Sequence, residues 1–145
     1  MRIHQLFILL ISFFITFPVL GQTQLDLNAK ATADFQAADA EMNQVYTKIL
    51  LLYKNDVPFI KSLRSAQRAW LVFRNAELDA LYPVNPNEDR HLIYGSVYPM
   101  CYANSKTELT RARTEQLRAW LKGVEEGEVC VGSVKLDREL KKGLK

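Results

Sequence analysis

The residue types that carry out catalysis are few in this sequence. It has two histidines: His4 lies in an N-terminal stretch that we expect to be removed, and His91 lies beside a polar loop with no second metal ligand at helical spacing. A lone histidine of this kind more often has a structural role than a catalytic or metal-binding one. Ser96 and Ser105 have no obvious general base, and there is no glycine-rich phosphate loop. The sequence therefore predicts a protein that is not an enzyme and that uses no metal and no cofactor.

Polar side chains instead lie within an apolar helical pattern. The apolar residues of this pattern recur mostly at every third to fifth position, and they are Leu63, Ala66, Trp70, Phe73, Leu78 and Leu81. Within it, Gln67, Trp70 and Arg74 are spaced three and four apart, so they share one stripe of a helix. A stripe that carries an amide, a large aromatic ring and a guanidinium is either a buried polar network or a binding surface.

The neighbouring helical patterns carry polar residues that could meet this stripe. They are Asp39, Asn43 and Tyr46 before it, and Thr110 and Arg113 after it. We expect an internal network of hydrogen bonds and ion pairs that fixes how the helices pair, because buried charges persist only when they are paired. The alternative is a recognition surface in which Trp70, Tyr98 and an arginine are the anchors, since these residue types are favoured at hot spots.

The elements that would position these residues are three long helices. The first runs from about Gln24 to Lys54, the second from Pro58 to Leu81, and the third from an N-cap at Ser96 to a stop at Gly123. Residues 82–90 form a loop rich in proline and asparagine. The short connections predict an all-α, three-helix antiparallel up-down bundle. Residues 124–145 are predicted to be a charged, loosely attached C-terminal tail, in which Leu136 and Leu140 could form a short amphipathic turn.

Residues 1–21 have the pattern of a secretory signal peptide. Arg2 precedes a short apolar run that ends in Val19-Leu20-Gly21, an acceptable cleavage site. We expect cleavage after Gly21 and a periplasmic or secreted protein; the alternative is an uncleaved membrane anchor. The predicted divisions are a leader at 1–21, one helical domain at 22–123 and the tail. The whole chain has a formal net charge of +3, which is too small to indicate a nucleic acid or a membrane surface as the partner.

Four segments together resemble the lysozyme-inhibitor LprI-like family of small exported bacterial proteins. They are AADAEMNQVYTKIL, AQRAWLVFRNAE, GSVYPM and ELTRARTEQL, and the resemblance extends from about Ala29 to Leu121. The matching positions are Asp39, Met42, Asn43 and Tyr46; Ala66, Gln67, Arg68, Trp70, Phe73 and Arg74; Gly95 and Ser96; and Leu109, Thr110, Arg113 and Leu117. The order and spacing of four segments make the resemblance more specific than any one segment would be.

The cysteines depart from the family pattern. Family members commonly carry cysteines near the places where this chain has Lys30, Leu78 and Ser105, so the usual clamp between the second and third helices is absent. The chain has Cys101 and Cys130 instead. Because an exported chain meets oxidising conditions, we expect these two to form an intramolecular disulfide that ties the tail to the third helix; the alternative is two free thiols.

The resemblance implies an exported helical protein, at least one relative of which inhibits lysozyme. We therefore expect a protein-binding domain with lysozyme as a candidate partner; the alternative is a structural or envelope-partner module without inhibitory activity. The candidate binding surface is the end of the bundle formed by Leu78–Arg90 and Gly95–Tyr102. Its anchors would be exposed tyrosines and its acidic groups would steer a basic enzyme; the candidates are Tyr82, Glu88, Asp89, Tyr94 and Tyr98. The loop could equally serve only to join two helices.

Overall fold

The computed structural model describes residues 22–143, and within this range the protein is all-helical. Its helices are α1 (Gln24–Leu52), α2 (Val57–Leu81), α3 (Arg90–Tyr94), α4 (Tyr98–Lys122) and α5 (Asp137–Gly143). An isolated parallel bridge joins Val124 to Leu136. The all-α prediction is confirmed. The predicted signal peptide lies outside the described residues. None of the helices within 22–143 combines the length and apolar character that crossing a membrane requires.

Local sequence explains three of the six ends of the long helices. Thr23 and Asp26 form a capping box at the start of α1, and the Asp56 side chain accepts a hydrogen bond from the Phe59 backbone at the start of α2. The predicted stop of α4 at Gly123 is confirmed, with φ of 75° at this residue. The predicted N-cap at Ser96 is wrong: α4 begins after Val97, which makes no side-chain capping bond.

Contacts along the helices establish how they run. Asn28 near the start of α1 donates to the Ser96 carbonyl just before α4, and Tyr53 after α1 donates to the Trp120 carbonyl near the end of α4. These two helices therefore run in the same direction. Phe59 at the start of α2 packs against Tyr53, so the start of α2 lies beside the end of α1.

The hydrophobic core is concentrated where α1 ends, α2 begins and α4 ends. Its buried members are Met42, Val45, Ile49, Tyr53, Phe59, Leu63, Leu117 and Leu140. Trp70 and Trp120 are partly buried against this cluster. Because Leu140 belongs to α5, the C-terminal segment contributes to the same core as the three long helices.

The prediction of a loosely attached tail is wrong. The Tyr53 hydroxyl accepts a hydrogen bond from the Lys135 backbone N–H at 3.0 Å, and the Lys135 ammonium donates to the Leu52 carbonyl at 2.7 Å. Leu140 is only 3% exposed. Residues 124–143 are charged on their outer side, but they cover apolar surface and satisfy backbone groups at the end of α1.

The inward stripe of α2 also differs from the apolar pattern of the sequence. Its buried residues are Phe59, Leu63, Gln67, Arg74 and Leu78. Ala66, Phe73 and Leu81, which the pattern placed on the same side, are exposed. The helix thus turns its amide and guanidinium inward and leaves apolar side chains outside, because those polar groups find partners on α1 and α4.

Candidate functional site

Arg74 is the centre of the polar network predicted from the helical stripes. Its side chain is buried, and its guanidinium lies 3.6 Å from the Asp39 carboxylate of α1 and within 3.4 Å of the Thr110 hydroxyl of α4. Its Nε is buried without a hydrogen-bond acceptor among the described residues. One side chain therefore connects all three long helices.

Aromatic rings cover the remaining faces of this guanidinium. The Arg74 Cζ lies 5.2 Å from the ring centroid of Trp70 and 5.8 Å from that of Phe35. These distances are in the range of cation–π attraction, which is stronger when the cation is removed from water. The rings thus offset part of the cost of burying the charge.

A second connection runs through Gln67. Its amide oxygen accepts a hydrogen bond from Nε of Arg113 at 3.0 Å, and its amide nitrogen lies 3.5 Å from the sulfur of Met42. Burial lowers the pKa of Arg113, although a guanidinium still remains charged at any ordinary pH. Gln67 therefore joins the three long helices a second time.

The other residues of the predicted network have more peripheral positions. Asn43 is exposed and donates to the Asp39 carboxylate at 3.0 Å. Tyr46 is half-buried against the core. Arg68 is exposed, so the structure does not bring it into the network. The burial of Arg74, Gln67 and Thr110 favours the internal network over the alternative of a recognition surface.

Four tyrosines pack together at the other end of the protein, where α2 ends and α4 begins. The ring of Tyr98 lies between 5.2 and 5.9 Å from those of Tyr82, Tyr94 and Tyr102. The prediction of exposed tyrosines is wrong for Tyr98, which is buried, and Tyr82 and Tyr94 are half-buried. Burial accordingly raises the pKa of Tyr98. Tyr102, the last residue of the predicted surface, was not among the predicted anchors, although its spacing of four from Tyr98 places both on one helical face.

Arg90 and Tyr94 hold the connecting loop onto this tyrosine cluster. The Arg90 guanidinium donates to the Tyr82 carbonyl at 3.0 Å and pairs with the Asp79 carboxylate at 2.7 Å. The Tyr94 hydroxyl donates to the Pro83 carbonyl at 2.7 Å. The loop between α2 and α3 is therefore fixed to both of the helices that flank it.

The two predicted acidic residues are exposed but anchored. The Glu88 carboxylate accepts from the Asn85 side chain at 3.0 Å and from its backbone at 2.9 Å, and these bonds lower the pKa of Glu88. Asp89 caps α3 by accepting from the His91 backbone at 2.7 Å. Beside these carboxylates, Leu92 is 84% exposed and Ile93 is 54% exposed.

A shallow groove extends from this end between α2 and α4. Its volume is about 380 Å³, and its walls include Leu81 and Leu109. Glu77 and Glu108 flank these apolar residues. The groove includes Leu81, the last residue of α2, so it lies next to the start of the loop that carries Glu88 and Asp89.

The predicted disulfide between Cys101 and Cys130 is wrong: both thiols are free. Cys101 lies in the first turn of α4, about 30 Å from the helix end at the usual rise per residue. Cys130 lies between Val124 and Lys135, which are hydrogen-bonded to each other at that far end. A disulfide requires the two Cα atoms to lie within about 7 Å. Within residues 22–143, no three His, Cys, Asp or Glu side chains are grouped so as to hold a metal ion.

Comparison with known proteins identifies a family for this chain. Residues 20–117 match the family model described as lysozyme inhibitor LprI. An uncharacterized protein of Rhizobium meliloti (strain 1021) is 31% identical over 114 residues, which cover 71% of this chain and 77% of that protein. No solved structure matches the chain significantly. The family match includes the Arg74 network, the tyrosine cluster and the anchored loop, and it covers most of the chain. The protein therefore belongs to the lysozyme inhibitor LprI family.

Proposed function

We propose that this protein is an exported binding domain that inhibits a lysozyme through its loop end, defined here as residues 82–97. The observation that carries the proposal is the combination of two anchored carboxylates, Glu88 and Asp89, with two uncovered apolar side chains, Leu92 and Ile93. The family description names lysozyme as the class of partner. The loop end offers carboxylates and apolar side chains, which suit a basic protein partner. The proposed activity is binding, with no turnover of the partner's substrate.

The loop end is suited to binding because it is already ordered. Its backbone is held by Arg90 and by the Tyr94 hydroxyl, and its carboxylates are held by Asn85 and by the start of α3. A surface fixed in advance loses little conformational entropy when a partner binds. The tyrosine cluster acts as the scaffold below the loop, with the half-buried rings of Tyr82 and Tyr94 near the surface.

The distribution of side chains resembles that of a protein interface. Leu92 and Ile93 would form its apolar centre, and Glu88 and Asp89 part of its polar rim. Lysozymes are often strongly basic, so the carboxylates would increase the association rate, and salt would weaken this effect. Glu77 and Glu108 line a groove that includes Leu81, the residue immediately before the loop end.

A lysozyme assay with the purified mature protein tests the target. We expect inhibition at or below about 10 µM protein in low salt, the range of an ordinary specific complex. Absence of inhibition at several times that concentration would reject lysozyme as the partner. In that case capture of a different envelope protein would support the second candidate, a structural or envelope-partner module. The slightly basic sequence pI of about 8.9 favours that alternative, because it is not complementary to a basic enzyme.

Paired variants test the surface. Leu92→Ser and Ile93→Ser should each weaken inhibition by about tenfold, the loss expected for an apolar anchor. Asp89→Asn keeps the one oxygen that caps α3, whereas Glu88→Gln keeps one of the two oxygens that accept from Asn85. Both changes remove a negative charge and should reduce the salt dependence of the association rate. Leu51→Ser and Glu128→Gln are matched controls away from the loop end, and they should have no effect. Inhibition that is unchanged in the loop variants would retain the target and reject the site.

The proposal also assumes a particular architecture and export route. We infer a three-helix antiparallel up-down bundle made by α1, α2 and α4, in one domain that continues through residues 124–143. We infer export to the periplasm or medium with cleavage after Gly21, on the basis of the leader-like sequence. The intact mass of the exported protein tests this step, and a full-length mass in the membrane fraction would indicate an anchored form.

A further inference from the structure

A second cavity, as open to solvent as the groove between α2 and α4, lies at the end of the protein opposite the loop end. It is formed between the start of α2, the end of α4 and the segment that follows α4, and its volume is about 440 Å³. Its walls include Phe59, Leu63 and Trp120, together with Arg113 and the hydroxyl-bearing Ser62 and Ser133. This size is within the range of sites that bind small molecules.

The apolar wall of the cavity is aromatic. The ring centroids of Phe59 and Trp120 are 4.6 Å apart and their planes are inclined by 50°. Leu63 is buried beside them. Two inclined rings and a branched aliphatic side chain form a surface suited to a flat or branched apolar group.

The charged part of the cavity is Arg113, and its hydrogen-bond acceptors among residues 22–143 are neutral. Its Nε donates to the Gln67 amide oxygen at 3.0 Å, and its Nη1 donates to the Gln116 amide oxygen at 3.1 Å. Arg74 and Arg118, in contrast, each form an ion pair with a carboxylate. The Trp70 ring centroid lies 5.9 Å from the Arg113 Cζ, but a half-buried guanidinium without an ion pair is still only partly compensated for the water it has lost.

The free donors of Arg113 indicate which anion would fit. A guanidinium has five N–H groups, and the two amide oxygens use one on Nε and one on Nη1. The remaining groups are on the Nη1 and Nη2 side, where a planar carboxylate can accept two parallel hydrogen bonds. A single guanidinium balances the single charge of a carboxylate better than the double charge of a phosphate.

We propose that this cavity binds a small organic carboxylate whose apolar body packs against Phe59 and Trp120 while its carboxylate pairs with Arg113. Ser62 and Ser133 lie on the walls as additional donors. Because Ser133 comes from the C-terminal segment, that segment completes the site as well as the core. The site is separate from the loop end, so it does not depend on lysozyme binding.

Calorimetric or NMR titration with 3-phenylpropanoate tests the proposal on the mature protein. We expect saturable binding with a Kd on the order of 1 mM, as for a small ligand of about a dozen heavy atoms. The uncharged analogue 3-phenylpropanamide should bind at least about tenfold more weakly, because it cannot form the ion pair. Absence of saturation by 3-phenylpropanoate, or equal binding of the amide, would overturn the proposal.

Two variants locate the site. Arg113→Gln should weaken binding of 3-phenylpropanoate by about tenfold or more, and Arg111→Gln, an exposed arginine on the same helix, should leave the Kd unchanged. If Arg113→Gln does not fold, Ser62→Trp decides, since Ser62 is exposed and a large ring there would fill the cavity without removing Arg113. Binding that persists in folded Arg113→Gln or in Ser62→Trp would reject this cavity as the site.

Discussion

The Asp39 carboxylate and the Arg74 guanidinium lie 3.6 Å apart, which connects α1 to α2 at the level of Thr110 in α4. The two partners differ in their exposure. The Arg74 side chain is 9% exposed and that of Asp39 is 35% exposed. The pair is therefore a contact between a buried cation and a carboxylate that water still reaches.

This asymmetry predicts unequal effects of substitution. Arg74→Ala should lower the free energy of unfolding by roughly 2–4 kcal/mol, because it removes buried contacts with Trp70 and Phe35 as well as the charge. Asp39→Ala should cost less, about 1 kcal/mol, because water reaches the Asp39 carboxylate and screens its attraction to Arg74. Urea unfolding measures both. Arg68→Ala is the control and should stay within about 0.5 kcal/mol of the parent; an equally small effect for Arg74→Ala would contradict its place in the core.

Removal of the Tyr53 hydroxyl should loosen the C-terminal segment. This hydroxyl donates to the Trp120 carbonyl and accepts from the Lys135 N–H, both at 3.0 Å. Tyr53→Phe should cost about 1–2 kcal/mol because it leaves two partly buried backbone groups without a partner. Limited proteolysis should also cut residues 124–143 faster than in the parent. Tyr46→Phe is the matched control, and similar proteolysis of the two variants would show that the hydroxyl does not retain the segment.

Gly95 and Gly123 have the same backbone conformation but different surroundings. Alanine substitutions at the two positions therefore distinguish backbone strain from steric clash. Gly123 has φ of 75° and ψ of −175°, and Gly95 has φ of 74° and ψ of −172°, a region that is almost exclusive to glycine. A Cβ at Gly123 would lie 2.9 Å from backbone atoms of Asp137, whereas nothing lies within 4 Å of one at Gly95. Thermal unfolding should show both alanine variants destabilised, with Gly123→Ala worse by about 1–2 kcal/mol. Equal losses of stability in the two variants would indicate that residues 124–143 move away from the added methyl group at no energetic cost.

Both cysteines should react as free thiols. Labelling of the unfolded, unreduced monomer with a maleimide should add two labels per chain, and prior reduction should not change the count. The physical reason is the separation along α4, which exceeds the span of a disulfide several-fold. A monomer that takes no label until it is reduced would instead require residues 124–143 to leave the position described here.

Local signals in the sequence were sufficient for the helices and for part of the network. Pro58, Gly123 and the apolar spacing act within a few residues of their own position, so the helical class and most helix limits follow from them. The spacing of Gln67, Trp70 and Arg74 is also sufficient to place them on one stripe of α2. The same local information failed for Phe73 and Leu81, because exposure depends on which neighbour a helix face meets.

The sequence by itself determined that the chain is helical, that a polar stripe runs along α2, and that the chain resembles the family to which it belongs. Only the tertiary structure decided that Tyr98 is buried, that Leu140 enters the core and that Lys135 bonds to Tyr53. Each of these contacts joins segments far apart in the chain, and no periodic pattern encodes such a pairing. They exist because the ends of α1, α2 and α4 leave apolar surface and backbone groups that only those distant residues can cover.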